Sequence, residues 1–394
     1  MRLTYKQEQG LKIALERFTA GEKYTVISGF AGTGKSTLVK FIIAALCNCG
    51  IYEEDVCFCA FTGKACNVLQ KKGNDNVLTL HKLLYEHIPK REGGFFRKKK
   101  EALEYRVIVV DECSMMPKDL MEDLHRHQNV YIIYLGDPFQ LPPIDKNADN
   151  HLLDKPHVFL DEIMRQAQES EIIRLTMDIR AGKIPQYCDG NEVKVVQELY
   201  TGMMTWADQM ICGTNATRVA INNQMRQLLG RGDMPEDGDK LICLRNYWDI
   251  FSEDGSPLVN GTIGFLGESY DSFFRVPQWA GDEGEVLMTC GNFVSDGAEI
   301  YKGLEMDKKL ILTGNKSLSW KTSWKLSKSK KQTFPDPLEF TYGYAITCHK
   351  SQGSEWDKVL VIEESFPNIK IEHARWLYTA ATRASEKLVI RRNE

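Results

Sequence analysis

The chain has 394 residues, 43% apolar and 26% charged, with a formal net charge of −4. That length suits two to four domains rather than one core, and the composition is that of an ordinary globular protein. No run of about 18 apolar residues is present to span a bilayer, and the slight negative charge excludes a globally basic protein, so any nucleic-acid partner must be met by local patches. The opening stretch, MRLTYKQEQG, lacks the apolar centre of a signal peptide, which points to an intracellular protein. The 11 cysteines include CNC (Cys47, Cys49) and CFC (Cys57, Cys59), whose gaps do not match zinc sites. Reduced, mostly buried thiols are the expectation.

The first informative element is YTVISGFAGTGKST. An apolar, β-rich run from Tyr24 to Ser28 leads into Gly29, Gly34, Lys35 and Ser36, spaced as G-x-x-x-x-G-K-[ST]. A helical pattern follows and ends at Gly50. Strand, glycine loop and helix together make a phosphate-binding loop. Backbone N–H groups of Gly29, Ala31, Gly32, Thr33, Gly34, Lys35, Ser36 and Thr37 are the candidates to close around phosphates at the positive end of the helix. Lys35 suits the β- and γ-phosphates of a nucleotide, and the Ser36 hydroxyl suits Mg²⁺.

The second is YRVIVVDECSMM. Val107 to Val110 is apolar throughout, as in a strand covered on both faces of a parallel sheet. Asp111 and Glu112 close it, at the end where open α/β sheets bind ligands. Asp111 suits Mg²⁺, and Glu112 suits a base that activates water. A transferase that excludes water has little use for that second carboxylate, so the pair favours nucleotide hydrolysis. A third apolar run, VYIIYLGDPFQLPPI, brings Gln140 to the same region as a sensor of the γ-phosphate.

In chain order these segments resemble a superfamily 1 helicase of the RecD-like and Dda-like branch, from about residue 3 to residue 390. LTYKQEQGLKIAL resembles the N-terminal Q motif. GFAGTGKST resembles motif I, AFTGKACNVL motif Ia and TLHKLL the next DNA-contacting motif. VVDECSM, LGDPFQLPPI and the MRQ run (164–166) resemble motifs II, III and IV. YGYAITCHKSQGSEWDKV resembles motif V and LYTAATRA motif VI. One departure stands out: Phe61 occupies a motif Ia position that usually holds proline.

The resemblance implies an α/β fold with two RecA-like lobes and parallel sheets, ATP and Mg²⁺ between the lobes, and a 5′–3′ DNA helicase. It implies that Gln7 recognises adenine, that Arg383 is the arginine finger, and that Arg165 makes a second γ-phosphate contact. Gly353 and Glu355 are expected to face the nucleotide. Phe61, Thr62, Gly63, Lys64, Thr79, His81, Thr347, His349, Lys350 and Ser351 are expected to line the DNA path. Their hydroxyls, amides and single charges fit backbone contact without base readout.

The expected organisation is a first lobe at 1–85 and 105–155, a pin insert at 86–104, a second lobe at 156–234 and 336–394, and a small β-barrel insert at 235–335. Short β-type runs split by Gly, Asn and Asp carry the barrel expectation. Within the pin, GGFFRKKK offers Gly93-Gly94 for a turn, Phe95 or Phe96 for base stacking and Arg97 to Lys100 for phosphates. A second basic stretch, KSLSWKTSWKLSKSKK, is read as an arm or hairpin of the barrel, either a solvated surface or a nucleic-acid contact.

The expected partners are single-stranded and forked duplex DNA, with single-strand-binding or replication and recombination proteins, and no membrane. A monomer of phage or accessory type, in the host cytoplasm if phage-encoded, completes the expectation. A translocase that remodels nucleoprotein without unwinding remains open. A non-motor P-loop protein has no use for motifs IV to VI. No unassigned segment of domain size carries the clustered acids of a two-metal nuclease.

Overall fold

A computed structural model describes residues 2–89, 95–142, 150–253, 255–329, 333–365 and 367–392. The chain forms two compact units, one of Met1–Asp208 with Cys348–Glu394 and the other of Gln209–Thr347.

The first unit opens with α1 (Tyr5–Thr19), started by a reciprocal cap: the Thr4 hydroxyl accepts from Gln7 N and the Gln7 amide accepts from Thr4 N. Next come β1 (Tyr24–Gly29), α2 (Lys35–Leu46), β2 (Val56–Ala60), α3 (Gly63–Lys71), β3 (Val77–Thr79) and α4 (Leu80–Leu84). An antiparallel hairpin of β4 (Tyr85–Pro89) and β5 (Phe95–Lys99) follows, pairing Tyr85 with Lys99 and Pro89 with Phe95. Then come β6 (Val107–Val110), α5 (Lys118–His125), β7 (Tyr131–Gly136) and β8 (Val158–Leu160).

These strands make a six-stranded sheet in the order β3-β2-β6-β7-β1-β8, parallel throughout. Alternate residues of β1, β6 and β7 feed two apolar clusters, one with Val26, Ile108 and Ile132 and one with Ile27, Val109 and Ile133. Coverage on both faces is why these strands read as unbroken apolar runs. The loops at residues 29–35, 111–113 and 136–141 all leave from the C-terminal ends of β1, β6 and β7.

The first sheet extends further along the chain than the sequence reading placed it. β8 lies beyond residue 155, yet Val158, Phe159 and Leu160 pair with Ile27, Ser28 and Gly29. With Val158 and Leu160 buried on one side, this short strand is held by the edge of β1.

The unit continues through α6 (Arg165–Gln168), α7 (Glu171–Arg180), β9 (Cys188–Asp189), β10 (Val193–Val196) and α8 (Thr201–Trp206).

The second unit holds β11 (Gln209–Cys212), α9 (Asn215–Leu228), β12 (Lys240–Cys243), β13 (Tyr247–Phe251), β14 (Pro257–Leu258) and β15 (Ile263–Arg275). It continues with β16 (Glu285–Ser295), β17 (Ile300–Asp307), α10 (Lys308–Thr313), α11 (Trp320–Ser327), β18 (Phe340–Tyr342) and β19 (Ala345–Thr347). β11 and β19 are parallel, whereas β17-β16-β15-β12-β18 form a five-stranded antiparallel sheet.

Within the lysine–tryptophan stretch, Trp320–Ser327 form a helix where the sequence reading expects an arm or hairpin. Ser319 caps α11 by accepting from Thr322 N, and Thr322 and Leu326, four residues apart, are its buried face. That spacing belongs to a helix and was hidden among the serines.

The chain returns to the first unit with α12 (Cys348–Ser351), β20 (Trp356–Ile362), α13 (Lys370–Ala381) and β21 (Ala384–Arg391). There β20 and β10 flank β21, both parallel to it. The fold class is α/β with two RecA-like lobes. Among the described residues, no helix is long and apolar enough to cross a membrane.

Candidate active site

The glycine loop between β1 and α2 is shaped by its neighbours. Gly32 and Gly34 both have φ of +76°, the left-handed region that glycine enters without a Cβ penalty. A Cβ on Gly34 would also lie 2.4 Å from Met164 Sδ and 2.5 Å from Gln7 Nε2. Lys35 Nζ donates to Gly29 O at 2.7 Å and Phe30 O at 3.1 Å, so it lies over its own loop.

Gln7 is fully buried and donates to Thr33 O at 3.2 Å and Gly34 O at 3.4 Å. Its amide is engaged as a helix cap and a loop brace. It is not among the residues that line the cleft described below.

At the end of β6, Glu112 has φ 50° and ψ 44°. A non-glycine residue there stores about 1–3 kcal/mol of strain, of the kind that clusters at functional sites. Glu112 N donates to Asp111 Oδ1 at 2.9 Å. Glu112 Oε1 stands 3.8 Å from Arg383 Nη1. With its amide assigned the orientation that satisfies both ends, Gln140 joins the two, donating to Glu112 Oε2 at 3.2 Å and accepting from Arg383 Nη2 at 3.1 Å.

Arg383 is itself buried and fixed, donating to Thr379 O at 3.0 Å, Ser354 O at 3.1 Å and Thr382 Oγ1 at 3.1 Å. Burial, and then the charge of Glu112, hold the Asp111 carboxyl above the usual carboxylate range. Burial does the same to Asp137.

A cleft of about 350 Å³ opens over this group. Of the residues singled out in the sequence, Ala31, Gly32, Lys35, Ser36, Asp111, Glu112, Gln140, Gly353, Glu355 and Arg383 line it. Gly29, Thr33 and Gly34 belong to the loop and Thr37 to the first turn of α2, and none of the four lines the cleft. The Arg165 side chain lies outside the described residues. The donor set suits a magnesium nucleotide: a helix N-terminus, an ammonium, a hydroxyl and a strand-end carboxylate converge there.

One residue escaped the sequence reading. Tyr378 on α13 accepts from Ala31 N at 2.9 Å and donates to Asp137 Oδ2 at 2.5 Å. The loop after β7 is held further by Leu141 N donating to Thr379 Oγ1 at 3.0 Å and by Gln352 Nε2 donating to Leu141 O at 2.7 Å. The only sequence signal was a tyrosine inside LYTAATRA, five residues before Arg383. Tyr378→Phe is expected to cost about 1–3 kcal/mol by leaving a buried carboxylate short of a donor. Urea unfolding checks this, and an unchanged midpoint would remove Tyr378 from the bracing network.

The candidate DNA residues divide. Thr62 and Thr79 are helix caps, accepting from Ala65 N and Lys82 N at 3.2 Å each. Gly63 is the first residue of α3. Lys64 Nζ sits 4.0 Å from the centre of the Trp356 ring, shielded from solvent. His81 is buried beside Phe61 and Tyr85, with ring centres 5.9 and 6.0 Å away. Ser351 is buried and donates to Cys348 O at 2.7 Å.

Burial lowers the His349 pKa, favouring a neutral ring. Lys350 and Thr347 are half-buried, the latter in the second unit. The side chains of Phe95 and Phe96 and the Gly93-Gly94 pair lie outside the described residues. The α3 segment and the segment after α12 meet directly. Lys72 pairs with Glu355 at 3.1 Å, and a Cβ on Gly353 would lie 3.0 Å from Ala65 Cβ.

Residues 4–198 match the family model described as an AAA domain, and residues 342–390 match the UvrD-like helicase C-terminal domain. The ATP-dependent DNA helicase dda of Enterobacteria phage T4 is 28% identical over 439 residues, covering 97% of each chain. The RecBCD enzyme subunit RecD of Buchnera aphidicola subsp. Acyrthosiphon pisum is 30% identical, covering 93% of this chain and 69% of that protein. Among solved structures, Pif1 helicase from Bacteroides in complex with ADP-AlF3 and single-stranded DNA has a TM-score of 0.52 at 18% identity, over 99% of this chain and 92% of that one. The last is a likeness of fold. Motif order, the glycine-loop cleft and the 30% identity to RecD together place the sequence: the chain belongs to the RecD- and Dda-like family of superfamily 1 helicases.

Proposed function

We propose that the protein is an ATP-dependent DNA helicase that moves 5′ to 3′ on single strands and separates duplex ahead of it. The observation that carries this reading is Arg383, held at the end of α13 and aimed at Glu112 and Gln140 in the glycine-loop cleft. Bound ATP with Mg²⁺ supplies the phosphoanhydride whose hydrolysis drives movement. Lys35, Ser36 and the loop amides bind the phosphates and metal, with Asp111 as the second acidic anchor. Glu112 takes the proton of the attacking water. Arg383 neutralises developing charge, and Arg165 adds a second contact. Gln140 links the acid and the arginine, so it reports the state of the cleft to both.

Coupling to DNA runs through the contact of α3 with residues 353–356. Lys64 on Trp356 and Lys72 on Glu355 tie a segment that approaches DNA to one that lines the nucleotide cleft. Thr62, Thr79, His349 and Lys350 are assigned to the DNA backbone. Lys64, His81 and Ser351 are assigned to holding that surface in place.

The β4–β5 hairpin is assigned as the pin that parts the strands, with Phe95 or Phe96 against a base. The double change Phe95→Ala, Phe96→Ala is expected to lower unwinding per ATP while single-strand-stimulated hydrolysis persists. Base pairs opened per ATP at the wild-type value would remove the hairpin from strand separation. A monomer working inside the cell with single-strand-binding or recombination proteins fits this substrate. The test of the function itself is ATP turnover with and without single-stranded DNA. Strong stimulation is expected, and DNA-indifferent turnover would contradict the proposal.

A further inference from the structure

Helix α11 of the second unit is unusual in what it leaves outside. Trp320 is 81% exposed and Trp324 52% exposed, although large aromatics are normally removed from water. They are four residues apart, so they stack along one ridge of the helix. Lys328 continues that ridge, and Lys321 lies beside it, three residues before Trp324; both lysines are exposed.

The opposite face is fixed to the protein. Leu326 enters a cluster with Val276, Ala280 and Val286. Glu283 Oε1 accepts from Ser319 N at 3.2 Å and from Thr322 Oγ1 at 2.5 Å. Lys325 Nζ donates to Ala280 O at 3.0 Å and Trp279 O at 3.3 Å. The exposed indoles are therefore presented by a helix tied at its start and its middle.

We propose that this ridge is a stacking platform for single-stranded nucleic acid, separate from the residues assigned to the DNA path above. This rests on the helicase reading and adds a binding surface to it. Three features select the occupant. Residues 316–331 contain six lysines and no acidic residue; Lys316 pairs with Glu339 and Lys325 is held by two carbonyls, and Lys321 and Lys328 stand exposed beside the indoles as charges complementary to phosphate. Two flat indole faces flanked by cations match the alternation of bases and phosphates, as in sequence-tolerant single-strand binders. The indole attachment points lie about 6 Å apart along the helix axis. A duplex strand stacks its bases about 3.4 Å apart, so adjacent indoles suit bases already pulled out of a stack.

The test is fluorescence anisotropy of a labelled oligothymidylate of about 30 nucleotides, a length that exceeds one site, with the full chain over a range of salt. Trp320→Ala with Trp324→Ala is expected to weaken binding at least tenfold, with thermal midpoint and DNA-free ATP hydrolysis unchanged. Lys321→Glu with Lys328→Glu is expected to flatten the dependence of log Kd on log salt by about 1.4, roughly 0.7 for each lost phosphate contact. Wild-type affinity and slope in both variants would overturn the platform and leave the helicase reading intact. A wild-type chain that binds no oligonucleotide would overturn both. If the variants keep DNA affinity but lose binding to a polyglutamate peptide, the ridge docks an acidic protein segment and the nucleic-acid assignment is wrong.

Discussion

Replacing Arg383 by alanine is expected to lower kcat for ATP by about 10³ to 10⁵ while nucleotide binding survives. The guanidinium is buried, anchored on Thr379, Ser354 and Thr382, and directed at Glu112 and Gln140. That placement gives it little conformational freedom to lose, and pre-organised charge is what stabilises a transition state. Binding is shared among the loop amides, Lys35 and Ser36, which Arg383 does not contact among the described residues.

Arg383→Lys should recover only a small part of the rate. A lysine is a point charge and cannot reproduce the planar fork that spans Glu112, Gln140 and the Ser354 carbonyl. Steady-state turnover with saturating single-stranded DNA, beside equilibrium binding of a fluorescent ATP analogue, separates rate from affinity. Turnover near the wild-type value in the alanine variant would sink the assignment.

The second large effect is expected at Glu112. Glu112→Gln should lower DNA-stimulated turnover by about 10² to 10⁴, the usual contribution of a positioned base, with ATP affinity retained. The amide keeps the size of the side chain and can still meet Gln140, but it cannot accept a proton. The left-handed backbone at Glu112 sharpens the comparison. Glu112→Gly would relieve about 1–3 kcal/mol of strain, offset by glycine's extra freedom in the unfolded chain and by the loss of the carboxylate beside the buried Arg383, so it should lie close to wild type in stability while being as inactive as Glu112→Gln. A single-turnover burst in Glu112→Gln as fast as wild type would show that another group activates the water.

How much of this was legible in the letters depended on how local the cause was. The glycine loop was readable because it needs left-handed backbone at Gly32 and Gly34, and few residues allow it. Val107–Val110 and Tyr131–Gly136 were readable because double-sided burial forces apolar residues into unbroken runs. β8 was misplaced because a three-residue strand carries almost no periodicity, and only its partner β1 defines it.

Gln7 shows a different limit. Its position in the chain was found, but its amide is committed to Thr4 and to the loop carbonyls, which only the packing of α1 reveals. The resemblance of its segment to motif Ia puts Lys64 on the DNA path. The ring that takes its charge, Trp356, lies nearly 300 residues away in sequence. Tyr378 was missed for the same reason, since Ala31 and Asp137 reach it from two separate loops.

The central claim is a directional motor that opens duplex DNA with energy from the Arg383–Glu112 cleft. Its most direct test is unwinding of a duplex bearing a 5′ single-stranded tail beside the same duplex bearing a 3′ tail, with ATP and Mg²⁺. Strand release from the 5′-tailed substrate alone, abolished by Arg383→Ala, is the result the account predicts. Release from neither substrate despite strong DNA-stimulated hydrolysis, or release from the 3′-tailed one alone, would contradict it.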